Sequence, residues 1–365
     1  MTKLIFAFCI SICTVLYAQS QIQPGFNAKE YAELLSLGYF SSGIPDSVER
    51  KTAKDPYHLE YRSPEVGLAN RWSFFIRNDN VGVIEIRGTV NQTISWLENF
   101  YAAMVPATGS LQINDSTNFQ YQLATDPKAS VHAGWTIALA HLAPDIEQKI
   151  NSYYKQKNVK QFFIFGHSQG GAISFLLRSF LEYEKQKGKI PADVIFKSYC
   201  SAAPKPGNQY YAYDFDFITR NGWSFTVVNA ADWVPETPYS IQSVNELNPT
   251  NPLIHTKEAV AKQKWVVRVA VRKIYNQTTR TTQKAQKKFQ KYLGTAIYKQ
   301  IKKTLPQFKE PQYAKGLNYT PAGIRIVLMP DKDYRNKFPE SDKNYFVHHS
   351  FNAYYALLKK YYLNQ

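Results

Sequence analysis

The stretch 163-FIFGHSQGGAISFLLRSFL-181 decides the fold. Its first residues, with Phe162, make a short apolar run that reads as a buried strand. A turn follows, G-H-S-Q-G, and then a run with helical spacing that continues to Gly188. A serine held between strand and helix, with glycine two residues away on either side, has the form of a nucleophile elbow. The glycines, Gly166 and Gly170, leave space where a side chain would block so tight a turn. The start of the helix aims free backbone N–H groups at the turn, which suits a developing oxyanion. An inert serine in a structural strand–helix turn would leave the same trace. The two readings separate on whether the rest of the chain supplies a base and an acid.

Outward from this stretch, strands and helices alternate. A helix is expected at 28–40 and a loop from there to 71. A hairpin follows over 72–89 around Asn78-Asp79-Asn80. Residues 91–130 read as mixed loop and helix, and 132–156 as a helix. Strands are expected at 159–168, 194–204, 224–232 and 324–329, and a closing helix at 350–363. This alternation predicts an α/β fold: a mostly parallel central sheet with helices on both faces. Ligands of such sheets sit beyond the carboxyl ends of the strands, where Ser168 lies.

A serine hydroxyl needs a base, and the base needs an orienting carboxylate. In chains with this elbow the order is Ser, acid, His. Asp232 follows the strand 224-SFTVVNA-230, on a loop stiffened by Pro235 and Pro238. Asp193, Asp214 and Asp216 are rivals that lie before or between strands. Downstream of Asp232 the histidines are His255, His348 and His349. His255 has no strand before it. His348 and His349 lie between the last strand and the closing helix, where a loop can carry imidazole over the elbow. Upstream, His167 reads as bulky filler beside the serine.

Six blocks together resemble the class 3 lipase family of the α/β-hydrolase superfamily. They are 83-VIEIRGTV-90, 95-SWLENF-100, 131-VHAGW-135, 164-IFGHSQGGA-172, 200-CSAAPKPGN-208 and 229-NAADWVPETP-238. The likeness covers roughly 57–239 and 317–360. It implies one α/β-hydrolase domain over 19–365, with Ser168 as nucleophile and Asp232 as acid. The family's base lies in a short stretch like 349-HSFNAY-354, which implies His349, with His348 as the alternative. Thr89 takes the family's oxyanion position, paired with the Gln169 amide. The implied reaction is ester hydrolysis through an acyl-enzyme, without metal or organic cofactor. Lys205 and Pro206 depart from the family's usual Arg and Val. The segment after R-G-T implies a lid. An apolar spacing over 91–110, through Ile94, Trp96, Leu97, Phe100, Tyr101, Met104 and Val105, predicts one helical face for it, which fits a lid over the pocket or an ordinary amphipathic helix on the sheet.

The ends and the charge add context. Lys3 and the apolar run up to Ala18 read as a signal peptide over 1–18, so the protein is expected to be secreted or periplasmic. The mature chain then keeps one cysteine, Cys200, and can form no internal disulfide. The formal charge of +16 is concentrated in residues 255–310, which hold 15 Lys and Arg against Glu258 and Glu310. This basic insertion lies between acid and base and has no counterpart in the fungal members. Its stretch 265–275 fits strand or helix. Residues 289–301 carry an apolar stripe with lysines largely opposite. Two readings of the insertion stand: a patch that holds the protein on an anionic membrane or polymer surface, or a cap packed on the core with a solvated lysine face. No nucleic-acid-reading motif accompanies the charge. Within the same fold, phospholipase and feruloyl-esterase activities are alternatives to lipase. A surface-binding protein with a degenerate site is the alternative of another class. Sequence sets neither acyl-chain preference nor oligomeric state.

Overall fold

The apolar run before the serine forms a strand and the run after it a helix, and the rest of the sheet is laid out around that pair. The computed structural model describes residues 21–43, 53–54, 56–261 and 263–364. The expected signal peptide, 1–18, lies outside the described residues. Eight strands make the main sheet: β1 (Ala53–Lys54), β2 (Tyr57–Arg62), β3 (Trp72–Arg77), β4 (Gly82–Ile86), β5 (Gln161–His167), β6 (Ile195–Ser201), β7 (Ser224–Asn229) and β8 (Ile324–Leu328). Their order across the sheet is their order in the chain. Strands β1 to β4 pair antiparallel, and β4 to β8 pair parallel. The parallel half needs long crossovers, and the helical runs between its strands supply them.

Both faces of the sheet are covered because the central strands are apolar on both sides. Phe74, Ile84, Phe162, Ile164 and Phe196 face one core. That core also holds α3 (Ala133–Lys157), α4 (Gln169–Gln186) and α5 (Gln209–Ile218). Their neighbours Phe75, Val83, Phe163, Phe165 and Tyr199 face the other, under α1 (Ala28–Ser42) and α8 (Phe351–Leu358). The period-two alternation thus serves two cores from one run of sequence. A further helix, α2 (Thr93–Phe100), follows the R-G-T loop.

Several local expectations need correction. Residues 57–62 form β2 rather than loop, pairing with β3 across an irregularity between Leu59 and Tyr61. Its polar residues hide the alternation of an outer strand. The helical face expected over 91–110 stops at Phe100. Met104 and Val105 instead pair antiparallel with His132 and Val131, so tertiary strand pairing overrides the helical spacing. Asp214 and Asp216, expected before or between strands, sit on α5 between β6 and β7.

The basic insertion is helical. It comprises α6 (Trp265–Gln290), a π-helical turn (Lys291–Ala296) and α7 (Ile297–Thr304). Tyr298 and Ile301 of α7 are buried in the main core. Helix α6 buries no residue, and Trp265, Val266, Val267, Val269 and Ile274 are exposed.

Candidate active site

Backbone crowding fixes the elbow. A Cβ on Gly166 would lie 2.2 Å from the Gly170 carbonyl group, and one on Gly170 would lie 2.1 Å from the Ile86 oxygen. Only glycine lets β5 turn into α4 this close to β4. Ser168 is left at φ 62°, ψ −130°, a sparsely populated conformation for a residue with a side chain and one found where a site holds its backbone by force. Its N–H is held by the Ser201 carbonyl at 2.9 Å. Gln169 is the first residue of α4, so its N–H has no partner within the helix.

The structure brings Asp232 and His349 together although 117 residues separate them. His349 Nδ1 lies 2.7 Å from Asp232 Oδ2. Tyr354 Oη donates to the same oxygen at 2.8 Å, and the Val234 N–H donates to Oδ1 at 3.0 Å. Asp232 is buried, so its charge rests on these donors. With Nδ1 donating, Nε2 of His349 is the basic nitrogen. It is buried and has no hydrogen-bond partner among the described residues. Ser168 and His349 line one cavity of about 990 Å³, together with Thr89 and Gln169.

His348 is turned elsewhere. Asn229 Nδ2 donates to the Tyr334 hydroxyl at 2.8 Å, which leaves that hydroxyl to donate to His348 Nδ1 at 2.9 Å. The rival acids are likewise engaged away from the elbow. Asp214 accepts from Thr125 and Tyr183, Asp216 from the Gly323 N–H, and Asp193 pairs with Lys160.

His167 is more than filler. Its Nε2 lies 2.7 Å from the His349 carbonyl oxygen, so Nε2 carries the proton. Burial, reinforced by the neighbouring His349 ring, holds its pKa well below the usual imidazole value. The ring is therefore neutral, and Nδ1 accepts from Ser201 Oγ at 2.9 Å. Ser201 in turn takes the Tyr31 hydroxyl at 2.7 Å. A chain of hydrogen bonds running from α1 thus holds the backbone of His349.

The loop opposite the elbow carries Thr89. Asn99 of α2 donates from Nδ2 to Thr89 Oγ1 at 3.0 Å and accepts from Trp135 Nε1 at 3.0 Å. Next to it, Glu98 is fully buried. Asn70 and Gln169 donate side-chain amides to it at 2.6 and 2.8 Å. Burial pushes its carboxyl well above the usual range, and those two bonds pull the other way. A Cβ on Gly134 would lie 2.0 Å from the Glu98 carbonyl oxygen, so α3 abuts α2 backbone to backbone. Of the residues expected in a lid, Trp96 and Phe100 line the cavity, and Leu97 does not. Trp96 and Trp233 both pack on Phe346, whose ring lies 5.8 Å from that of His349.

Tyr354 stands at the end of 349-HSFNAY-354, where its position in the motif could have marked it. Asn99 and Glu98 carried no comparable signal, because their roles come from which side of α2 packs inward. Among the described residues no group of three His, Cys, Asp or Glu is placed to hold a metal ion.

Residues 83–241 match the family model described as Lipase (class 3). A secreted mono- and diacylglycerol lipase of Malassezia globosa is 31% identical over 118 residues, which are 31% of this chain and 35% of that protein. One from Fusarium solani is 27% identical over 179 residues, covering 47% and 45%. The chain thus spans less than half the length of these curated relatives. The crystal structure of a lipase from Yarrowia lipolytica aligns at 14% identity and a TM-score of 0.45, over 59% of this chain and 76% of that one. With the elbow on a mostly parallel sheet and the order Ser, Asp, His, the chain has an α/β-hydrolase fold, and residues 83–241 are similar to the class 3 lipase family.

Proposed function

We propose that the protein is an exported serine hydrolase of carboxylic esters, acting on lipid esters such as mono- or diacylglycerols. The observation that carries this reading is the buried Asp232–His349 pair: His349 and the strained Ser168 line one cavity, and His349 Nε2 has no hydrogen-bond partner among the described residues. In the proposed reaction, His349 removes the Ser168 proton as Oγ attacks the ester carbonyl. The Thr89 and Gln169 amides receive the oxyanion. His349⁺ then protonates the leaving alkoxide, which departs as the alcohol. Water, deprotonated by His349, attacks the acyl carbonyl; the bond to Ser168 Oγ breaks, Oγ takes the proton back from His349⁺, and the acid is released. Asp232 holds the imidazole in the tautomer with Nδ1 protonated. The cavity suits a lipid ester because Trp96, Phe100, Trp233, Pro238 and Phe346 give it an apolar side. Export rests on residues 1–18 and on relatives whose names describe them as secreted. The test is hydrolysis of diacylglycerol and of short-chain esters by the purified protein, with activity on neither contradicting the reading.

The insertion supports an anionic lipid surface as a partner. Trp265, Val266, Val267, Val269 and Ile274 are exposed on the first turns of α6, with Arg272, Lys273, Arg280 and Lys284 on the turns around and after them. Exposed apolar and cationic groups on one helix suit a membrane–water boundary. Because α7 is packed into the core, deleting the insertion would disturb the fold, so point changes are the sound test. Trp265→Ser with Ile274→Ser should weaken binding to phosphatidylglycerol vesicles, and salt should weaken it in the native protein. Salt-independent binding, or binding equal in the double variant, would contradict this partner.

A further inference from the structure

The cavity around Ser168 has a wall that lies outside the class 3 segment. Leu293, from the π-helical turn of the basic insertion, lines it. A π turn inserts an extra residue into a helix and shifts the direction of the side chains around it, and such turns recur at functional sites. Here the turn is tied to the rim at three points. The Leu293 carbonyl accepts the Ala103 N–H at 3.1 Å, just after α2. Gly294 packs so closely that a Cβ there would lie 3.0 Å from both Ala103 Cβ and the Tyr313 ring. One turn earlier, the Phe289 ring meets Tyr239 edge to face, with centroids 5.5 Å apart, and Tyr239 also lines the cavity.

The cavity lining holds both polar and apolar groups. Ser42, Arg62, Glu85 and Arg87 make part of its lining polar, whereas Phe100, Ala102, Leu293 and Tyr239 are apolar or aromatic. A hydrocarbon chain belongs against the second group. We infer that Leu293 is a specificity-determining residue: the insertion closes the apolar arm of the cavity with this side chain and thereby sets the length of acyl chain that the arm accepts. The identity of the ligand as an acyl chain rests on the ester-hydrolase reading above. The role of Leu293 as a wall rests on the packing alone.

The test uses the full-length protein and three variants. Leu293→Trp narrows the arm, Leu293→Ala opens it, and Tyr292→Ala changes the exposed neighbour, which does not line the cavity. kcat/KM is measured on 4-nitrophenyl esters of about two to about sixteen carbons. Adding or removing bulk in an apolar pocket changes discrimination by about 10- to 200-fold. Leu293→Trp should lower the ratio of long-chain to butyrate activity by about tenfold or more, leaving butyrate within about threefold. Leu293→Ala should move the ratio the other way, and Tyr292→Ala should leave it unchanged. A second readout is independent of catalysis: displacement of a dansylated fatty acid by acids of increasing length, in the Ser168→Ala background. Affinity for long acids should fall with Leu293→Trp there too. If the native protein cleaves no ester but this shift in affinity appears, the hydrolase reading fails and the wall stands. A chain-length profile unchanged in both Leu293 variants, in rate or in binding, overturns the inference.

Discussion

Tyr354 and His349 share one oxygen of Asp232: the phenol donates to Oδ2 at 2.8 Å and the imidazole Nδ1 lies 2.7 Å from it. Both come from the last forty residues of the chain, and the acid comes from the loop after β7. The C-terminal helix therefore does more than cover the sheet. It brings in one of the donors to the acid, and the proposed base sits on the short turn Val347–His349 just before it.

Tyr354→Phe should remove a hydrogen bond to a buried carboxylate without removing any reacting group. Such bonds contribute about 1.5–3 kcal/mol. The expected outcome is a lower melting temperature and a reduced kcat with KM little changed, read by thermal unfolding and ester hydrolysis. An unaltered protein by both measures would mean that the hydroxyl is idle.

Replacing each of the adjacent histidines separates their roles. His349→Ala should lower kcat by about 10⁴-fold or more, as loss of a triad base does. His348→Ala loses the Tyr334 contact and should keep kcat within about tenfold, at reduced stability. Full activity in His349→Ala would move the base elsewhere.

The elbow, the parallel half of the sheet and the order Ser, Asp, His could all be read along the chain, because glycine spacing and apolar runs are local. Asp232 and His349 could be named because each follows or precedes a recognisable element. The support beneath them could not. His167 acts through a backbone carbonyl 182 residues away, and Glu98 through two amides gathered from β3's approach and α4. Such contacts depend on which helix face packs inward. Leu293 was hidden for a related reason. Its stripe was visible as apolar, but the π turn that sends it into the cavity has no marker in the sequence.

Asn99 anchors the Thr89 hydroxyl and the Trp135 indole at once. Asn99→Leu should loosen the loop proposed to offer the oxyanion donor. Losing such a donor outright lowers kcat by about 10²–10³-fold, so a positioning loss should be smaller, about tenfold. Recovery of most of the rate in Asn99→Asp or Asn99→Gln would separate positioning from mere structure. An unchanged kcat in Asn99→Leu would exclude it.

Glu85 gives the pH dependence a direction. Burial raises its pKa from 4.5 to about 7, with hydrogen bonds from Ser41 and Ser73 and the charges of Arg62 and Arg87 opposing. The folded state then binds a proton that the unfolded state has already lost between pH 4.5 and 7. Stability falls across that window as pH rises, and the penalty is complete above about pH 7. Glu85→Gln, which cannot ionise, should therefore gain stability relative to the native protein at pH 8 and show no such gain at pH 4, as read from denaturant midpoints. A gain of equal size at both pH values would contradict this assignment.

The central claim is that Ser168 is the nucleophile of an ester hydrolase. Its most direct measurement is the rate of 4-nitrophenyl butyrate hydrolysis by the native protein against Ser168→Ala, matched for folding by circular dichroism. The account predicts turnover by the native protein and a loss of about 10⁴-fold or more in the variant. Equal rates in the two proteins would contradict it.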